Sequence, residues 1–205
     1  MSICYIVGAG DFFGKFEPCV DDLVIAADGG FDTLTKLGIR CDLLLGDMDS
    51  RQGGGEADNG VEILRYPVKK DETDTHLAYL EGVRRGYTDF CIYGGVGGRE
   101  DHTFANYSLL LYAKNRGHNA TLVGNRCKVF VIKNEHVTLS GRVGATISVF
   151  AFGGVAEGVC VSGATYEAKD ISISPEFALG VSNSFLCGPV RLSVRSGALL
   201  VMVEE

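Results

Sequence analysis

The stretch Leu43-Leu44-Leu45-Gly46-Asp47-Met48-Asp49-Ser50 constrains the fold of this chain more than any other. Its leucines form an apolar run typical of a buried strand, and a glycine and two carboxylates follow directly. Neighbouring carboxylates repel each other unless a proton or a cation lies between them. A hard divalent ion such as Mg²⁺, carrying a phosphate, suits their oxygen atoms. The same residues are also typical of a turn with solvated side chains, so this stretch alone leaves both interpretations open.

Composition restricts the class of protein. The 205 residues are 46% hydrophobic and 22% charged, which is enough apolar material for a proper core. The net charge of −7 disfavours a nucleic-acid or anionic-membrane partner. We see no signal peptide and no apolar run near the ~18 residues of a membrane span. Seven cysteines without a C-x-x-C pair predict buried, reduced thiols and a cytoplasmic protein.

Strand and helix patterns alternate over the first 124 residues. Apolar runs predict strands at 2–7, 23–27, 42–45, 61–66, 88–93 and 120–123. Helical spacing of apolar residues predicts helices that end at Gly38, Gly86 and Gly117. This order predicts a Rossmann-like α/β domain at 1–124, with a parallel sheet whose ligands bind beyond the carboxyl ends of the strands. The stretch 51–60 is predicted to be a flexible loop.

The pattern of apolar residues changes after residue 124. Short β-rich segments at 128–133, 136–139, 146–150, 158–161, 190–194 and 199–203 are separated by turn signals. Strands at this spacing, without helical periods, predict a C-terminal β-sandwich domain at 125–205.

Acidic residues follow the predicted strands or begin a predicted helix at Asp28, Asp47, Asp49, Asp71 and Asp74. A glycine-rich loop, Gly94-Gly95-Val96-Gly97-Gly98-Arg99, lies between a strand and a helix. It lacks the Walker A lysine and the G-x-G-x-x-G spacing. Its backbone N–H groups can still face a phosphate while Arg99 clamps an oxygen pair, although a plain tight turn is the alternative. The whole set predicts a metal or nucleotide site at one sheet edge.

Four motifs occur in an order that resembles thiamine pyrophosphokinases. They are Ala27-Asp28-Gly29-Gly30, Leu45-Gly46-Asp47-Met48-Asp49-Ser50, Lys70-Asp71-Glu72-Thr73-Asp74, and the glycine loop continued by Glu100-Asp101-His102 with Asn106. Segments 162–166, 180–183 and 197–201 resemble the C-terminal part of that family. The resemblance therefore extends over nearly the whole chain.

The resemblance implies a homodimer with active sites between subunits. It implies Mg²⁺-dependent transfer of a diphosphoryl group from ATP to the hydroxyl of thiamine, releasing AMP. The metal ligands it implies are Asp47, Asp49 and Asp74. The nucleotide contacts it implies are Asp28, Gly29, Gly30, Gly94, Gly95, Gly97, Gly98, Arg99, His102 and Asn106. The thiamine contacts it implies are Lys70, Thr73, Tyr166, Ser182 and Asn183. The residues it implies in catalysis are Asp71, Arg99 and Asp101.

The chain departs from the family pattern at several points. Met48 replaces the usual phenylalanine, Thr165 replaces a lysine, and the chain has no tryptophan to stack on the vitamin. Segment 171–177 aligns with no motif. These departures affect the expected thiamine pocket more than the phosphate site, and Tyr166 also fits a cross-strand aromatic on the sandwich surface.

Two other functions stay open at this point. Asp47-Met48-Asp49 is also the D-x-D signature of metal-dependent nucleotide-sugar glycosyltransferases, but that function explains neither the glycine loop nor the β-rich domain. A non-catalytic sensor that binds Mg–ATP without turnover would use the same carboxylates.

Overall fold

A computed structural model describes residues 2–46, 60–67 and 69–204. The chain divides into two compact units. The first contains residues up to 109 together with 122–125, and the second contains 110–121 together with the residues from 126 onward. The predicted boundary at 124/125 stays a prediction.

The first unit is built on a mainly parallel sheet. Its strands are β1 (Cys4–Val7), β2 (Leu23–Ala27), β3 (Leu43–Gly46), β4 (Glu62–Arg65), β5 (Asp89–Tyr93) and the last residues of β6 (Asn119–Gly124), which begins in the second unit. The helices are α1 (Gly30–Leu37), α2 (Asp74–Arg84) and α3 (Glu100–Lys114). The strand order is β6-β5-β1-β2-β3-β4, and the four pairings from β5 to β4 are parallel.

Burial on both faces explains the sequence of the central strands. All residues of β2 and β3 are buried, as expected for a parallel sheet covered by helices. One core cluster joins Val24 and Leu44 of the sheet to Leu34 of α1. Edge strand β4, by contrast, has no fully buried residue.

The order of the strands creates a crevice. From β1 the chain continues to β2 on one side, and it later returns to β5 on the other side of β1. The connections leave the carboxyl ends of β1 and β5 in opposite directions, which opens the crevice in which doubly wound sheets bind ligands.

Eight antiparallel strands are described in the second unit, in two hydrogen-bonded sets of four, and the second set is a separate sheet. The strands are β7 (Cys127–Lys133), β8 (His136–Leu139), β9 (Thr146–Ala151), β10 (Ala156–Ser162), β11 (Ala168–Ile173), β12 (Gly180–Ser184), β13 (Val190–Ser193) and β14 (Ala198–Glu204). Their orders are β12-β9-β14-β7 and β11-β10-β13-β8. Val149 and Val201 of one sheet share a core with Val159 and Leu192 of the other.

The predicted fold class is confirmed as a mixed α/β fold with a mostly parallel sheet and a separate antiparallel sheet. Strand β11 was missed because half of its residues are exposed, Lys169 and Asp170 among them, so its sequence shows no apolar run. The loop predicted at 51–60 lies, apart from Gly60, outside the described residues.

The cysteines correct one expectation. None of the seven, all of which are described, forms a disulfide, but Cys19 and Cys187 are exposed and only Cys4 is buried. Burial raises the pKa of the Cys4 thiol well above its ordinary value. Within the described ranges, no helix combines the length and apolar character that a bilayer crossing requires.

Candidate active site

A cleft of about 330 Å³ lies in the first unit, where β1, β2 and β5 end at their carboxyl ends. Its walls come from three turns and from the first residues of two helices. The lining residues are Ala9, Gly10, Asp28, Thr75, Gly94, Gly95, Gly97, Gly98, Arg99, His102 and Asn106.

The glycine loop after β5 is held against the turn after β1. Backbone hydrogen bonds run from Gly8 N to Tyr93 O at 2.8 Å and from Gly10 N to Gly94 O at 2.9 Å. Gly94 has φ 61°, and a Cβ there would overlap the carbonyl oxygen of Gly8. Only glycine permits this backbone and this close approach, so the loop path depends on the residue type that the sequence supplies.

Asn106 fastens the loop to α3. Its side chain is buried, and Nδ2 donates a hydrogen bond of 2.7 Å to the carbonyl oxygen of Gly95. The first turns of α3 also supply His102 to the cleft. The resemblance named Asn106 as a nucleotide contact; its observed partner is the loop backbone.

Among the described residues that line the cleft, Asp28 is the acidic one. It adopts φ 51°, its N–H bonds Leu45 O at 2.8 Å, and its Oδ1 is buried without a hydrogen-bond partner among the described residues. A buried carboxylate oxygen with no donor is costly unless a cation or a ligand donor reaches it. This orphaned oxygen fits a hard cation such as Mg²⁺.

The metal ligands expected from the sequence are only partly visible. Asp47 and Asp49 lie outside the described residues. Over the described ranges, no group of three His, Cys, Asp or Glu side chains is placed to hold a metal ion. Asp74 forms an ion pair in which Lys70 Nζ lies 2.7 Å from Oδ1.

The start of α2 faces the cleft through Thr75. Thr73 caps this helix, because its Oγ1 accepts a hydrogen bond from His76 N at 3.2 Å. A helix start presents N–H groups and the positive end of the helix dipole, both of which favour an anion. Asp71 is exposed and is not among the lining residues.

Arg99 and Asp101 form an exposed pair at the start of α3. The guanidinium contacts the Asp101 carboxylate at 2.6 Å. The hydrogen bond from Arg99 lowers the pKa of Asp101 below its ordinary value, and the same bond raises the pKa of Arg99. Asp101 is therefore an ionised acceptor at neutral pH. Of the two residues, only Arg99 lines the cleft.

The expected thiamine residues of the C-terminal part lie in the second unit. Tyr166 N and Asn183 Oδ1 are 2.9 Å apart, and Asn183 Nδ2 returns a bond of 2.7 Å to Tyr166 O. Both residues line an apolar groove of about 400 Å³ between strands of the two sheets. Ser182 adopts φ 59° and donates from its N–H to Ser148 Oγ at 3.0 Å. The Tyr166 side chain is 71% exposed.

The structure brings most of the expected nucleotide residues to one cleft: Asp28, Gly94, Gly95, Gly97, Gly98, Arg99, His102 and Asn106. Gly29 and Gly30 do not line it; they start α1, where a Cβ on Gly30 would overlap the carbonyl oxygen of Val7. Sequence reasoning missed Ala9, Gly10 and Thr75. The signal for the first two was present, because Gly8-Ala9-Gly10 ends a predicted strand like the other turns of the cleft.

A protein-family model described as thiamin pyrophosphokinase, catalytic domain, matches residues 20–122, just over half of the chain. No curated protein matches the chain significantly. Among solved structures, thiamine pyrophosphokinase from Bacillus subtilis is 21% identical with a TM-score of 0.89, covering 98% of each chain. The Geobacillus thermodenitrificans protein is 24% identical with a TM-score of 0.85, covering 99% of this chain and 97% of its own. Thiamin pyrophosphokinase from Candida albicans is 14% identical with a TM-score of 0.75, covering 100% of this chain and 90% of its own. The structural likenesses show the fold, and the family model, which spans β2 to β5 and all three helices of the described chain, shows that this chain belongs to the thiamin pyrophosphokinase family of enzymes.

Proposed function

We propose that the protein transfers a diphosphoryl group from ATP to the hydroxyl of thiamine in a Mg²⁺-dependent reaction, giving thiamine diphosphate and AMP. One observation carries this proposal in a chain of this family. The glycine loop, the unpartnered oxygen of Asp28 and the start of α2 meet in one cleft at the carboxyl edge of the sheet.

The features of the cleft are best suited to binding the triphosphate of ATP. Backbone N–H groups of a glycine loop and a helix start favour an anion without adding side-chain bulk. Arg99 supplies a fixed cation for the transferring group. Asp47, Asp49 and Asp74 would hold Mg²⁺, which when bound supplies charge neutralisation on the phosphate oxygen atoms.

The acceptor is a cation, because thiamine carries a positively charged thiazolium ring. An aromatic face such as Tyr166 suits that ring by stacking and by cation–π attraction, worth ~0.5–2 kcal/mol. Thr73, Ser182 and Asn183 complete the proposed thiamine contacts.

Asp71 or Asp101 would orient the thiamine hydroxyl. The lowered pKa of Asp101 makes this carboxylate a weak base that still accepts hydrogen bonds. We therefore propose that it orients the hydroxyl and does not remove its proton. In phosphoryl transfer, positioning and charge stabilisation account for most of the catalysis. Arg99 is the group that would stabilise charge in the transition state.

The remaining expectations belong to the same proposal. We infer a cytoplasmic homodimer in which residues 1–124 carry the nucleotide site and residues 125–205 serve thiamine binding and dimer formation. The exposed aromatic and apolar side chains Tyr166, Phe177, Leu179 and Leu186 of the second unit support an interface there.

The reaction is tested by incubating the protein with ATP, Mg²⁺ and thiamine and identifying the products by chromatography. AMP together with thiamine diphosphate is the expected result. ADP with thiamine monophosphate would assign a simple kinase instead, and tight ATP binding without any product would assign a sensor.

Replacement of Asp47 or Asp49 with Asn tests the metal ligands. We expect AMP release to fall by about 100-fold or more, since one precisely placed charge-stabilising group is typically worth that much. Asp21→Asn is the matched control, because this exposed aspartate precedes β2 at the opposite end of the sheet. Wild-type activity with unchanged Mg²⁺ dependence in both site variants would contradict the assignment.

A further inference from the structure

Lys70 is held beside the cleft by an ion pair. Its Nζ lies 2.7 Å from Asp74 Oδ1, and the Lys70 side chain is only 12% exposed. Asp74 is the first residue of α2, and the next residue, Thr75, lines the cleft. The ammonium group therefore lies at the start of α2, next to the residue that precedes Thr75 of the cleft wall.

The ion pair with Lys70 uses only one oxygen of the Asp74 carboxylate, Oδ1. Among the residues that the structure describes, Oδ2 receives no hydrogen bond, and Asp74 keeps 27% of its side-chain surface exposed. A second cation can therefore reach this carboxylate. When it does, the attraction between Asp74 and the Lys70 ammonium weakens, because a carboxylate neutralised by one cation holds another less strongly.

Charge decides which substrate Lys70 can contact. Thiamine is a cation, so an ammonium group beside it would be repelled. A triphosphate is an anion, and lysine binds phosphate as a compact charge on a flexible four-carbon stem. The flexible stem also lets the ammonium group move from a carboxylate oxygen to a nearby phosphate oxygen.

We propose that Lys70 binds the triphosphate of the nucleotide rather than thiamine, and that Asp74 holds its ammonium group beside the cleft until the nucleotide binds. This inference rests on the proposed function and names a phosphate-binding residue for it. Lys70 thereby changes partner from a carboxylate oxygen to a phosphate oxygen, with no change in its own charge.

The test compares Lys70→Met, Lys70→Arg and the neighbouring Lys69→Met. Lys69 is exposed and serves as the matched control. Titration calorimetry measures the Kd of an ATP analogue with a methylene group between the α- and β-phosphates, in Mg²⁺, and separately the Kd of thiamine. Urea unfolding of each variant checks that it is folded; a partly exposed ion pair contributes little to folding.

We expect Lys70→Met to raise the nucleotide Kd by about 10-fold or more, the usual effect of losing a charged hydrogen bond. Lys70→Arg should recover part of this loss, and Lys69→Met should stay within about 2-fold of wild type. The thiamine Kd should not rise in any variant.

Three results would overturn the proposal. A rise in the thiamine Kd alone would make Lys70 a thiamine residue. No change in either Kd would leave Lys70 only a partner of Asp74. Wild-type protein that binds neither substrate would overturn the proposed function and this inference together, whereas binding of both without AMP formation would overturn only the reaction.

Discussion

Asn106→Leu removes the side-chain donor that holds the glycine loop to α3 while keeping nearly the same side-chain size. Asn106 Nδ2 donates to Gly95 O at 2.7 Å, and both residues are buried. Side-chain atoms of Leu122 and Ile92 lie near the position that a Cβ on Gly95 would take, so apolar groups lie close to this glycine beside Asn106 Nδ2. The leucine fits such surroundings but leaves the carbonyl without its partner.

The magnitude follows from that lost partner. A buried carbonyl oxygen left without a donor costs about 1–3 kcal/mol. Since 1.4 kcal/mol is a tenfold change in an equilibrium constant, folding weakens by about 5- to 140-fold. Because the loop turns beside this carbonyl, we expect part of the loss to appear as weaker nucleotide binding.

Urea unfolding measures the free energy of unfolding of Asn106→Leu, and calorimetry measures its Kd for the nucleotide analogue. Ser108→Ala is the control, because Ser108 Oγ donates to Phe104 O on the same helix but is exposed. We expect the control to change stability by less than about 0.5 kcal/mol. An Asn106→Leu protein with wild-type stability and wild-type nucleotide Kd would refute the role given to this hydrogen bond.

Two further predictions concern charge and stacking. Glu81 is buried, and hydrogen bonds from Arg84 lower the pKa of its carboxyl. The ionised carboxylate therefore stabilises the folded protein above the ordinary carboxyl range, and this contribution is lost as the pH falls through the lowered pKa. Glu81→Gln should therefore cost about 2 kcal/mol in urea unfolding at pH 7, and a stability gap to wild type that widens toward pH 3 would count against this reasoning. Tyr166→Ala should raise the KM for thiamine by about 2- to 30-fold without changing the KM for ATP in steady-state kinetics. Phe104→Ala, an exposed aromatic outside the groove, is the control, and a change confined to the KM for ATP would reject the stacking role.

The strands and helices of the first unit were predictable because their signals are local. Apolar runs as short as the four residues of β1 and β3, followed by glycine or aspartate, identify buried parallel strands without tertiary information. Strand β11 was not predictable in this way. Its pairing with β10 shows register shifts and half of its residues are exposed, so its sequence shows no regular alternation of buried and exposed positions.

The backbone part of the site was predictable for the same reason, since glycine loops at strand ends follow from the parallel sheet. Side-chain partners were not. The Lys70–Asp74 ion pair joins residues four apart that do not share a helix, and the Arg99–Asp101 pair joins residues two apart. Such pairs depend on the turn between them and show no periodicity in the sequence. Both pairs give a residue a partner that the motifs alone did not suggest.

The end of β3 packs closely against Asp28, the residue that follows β2 and lines the cleft. Gly46 ends β3 with φ 148°, and a Cβ on it would lie 3.3 Å from the backbone nitrogen of Asp28. A side chain larger than hydrogen would therefore press on the residue whose buried oxygen has no partner among the described residues. Asp47 follows Gly46 by one peptide bond, so the acidic motif begins one residue beyond the point at which the chain touches Asp28. A Gly46→Ala change should therefore strain the backbone at Gly46 and displace Asp28 although it removes no carboxylate. We expect calorimetry to show weaker binding of the nucleotide analogue, and a wild-type Kd in this variant would contradict the reasoning.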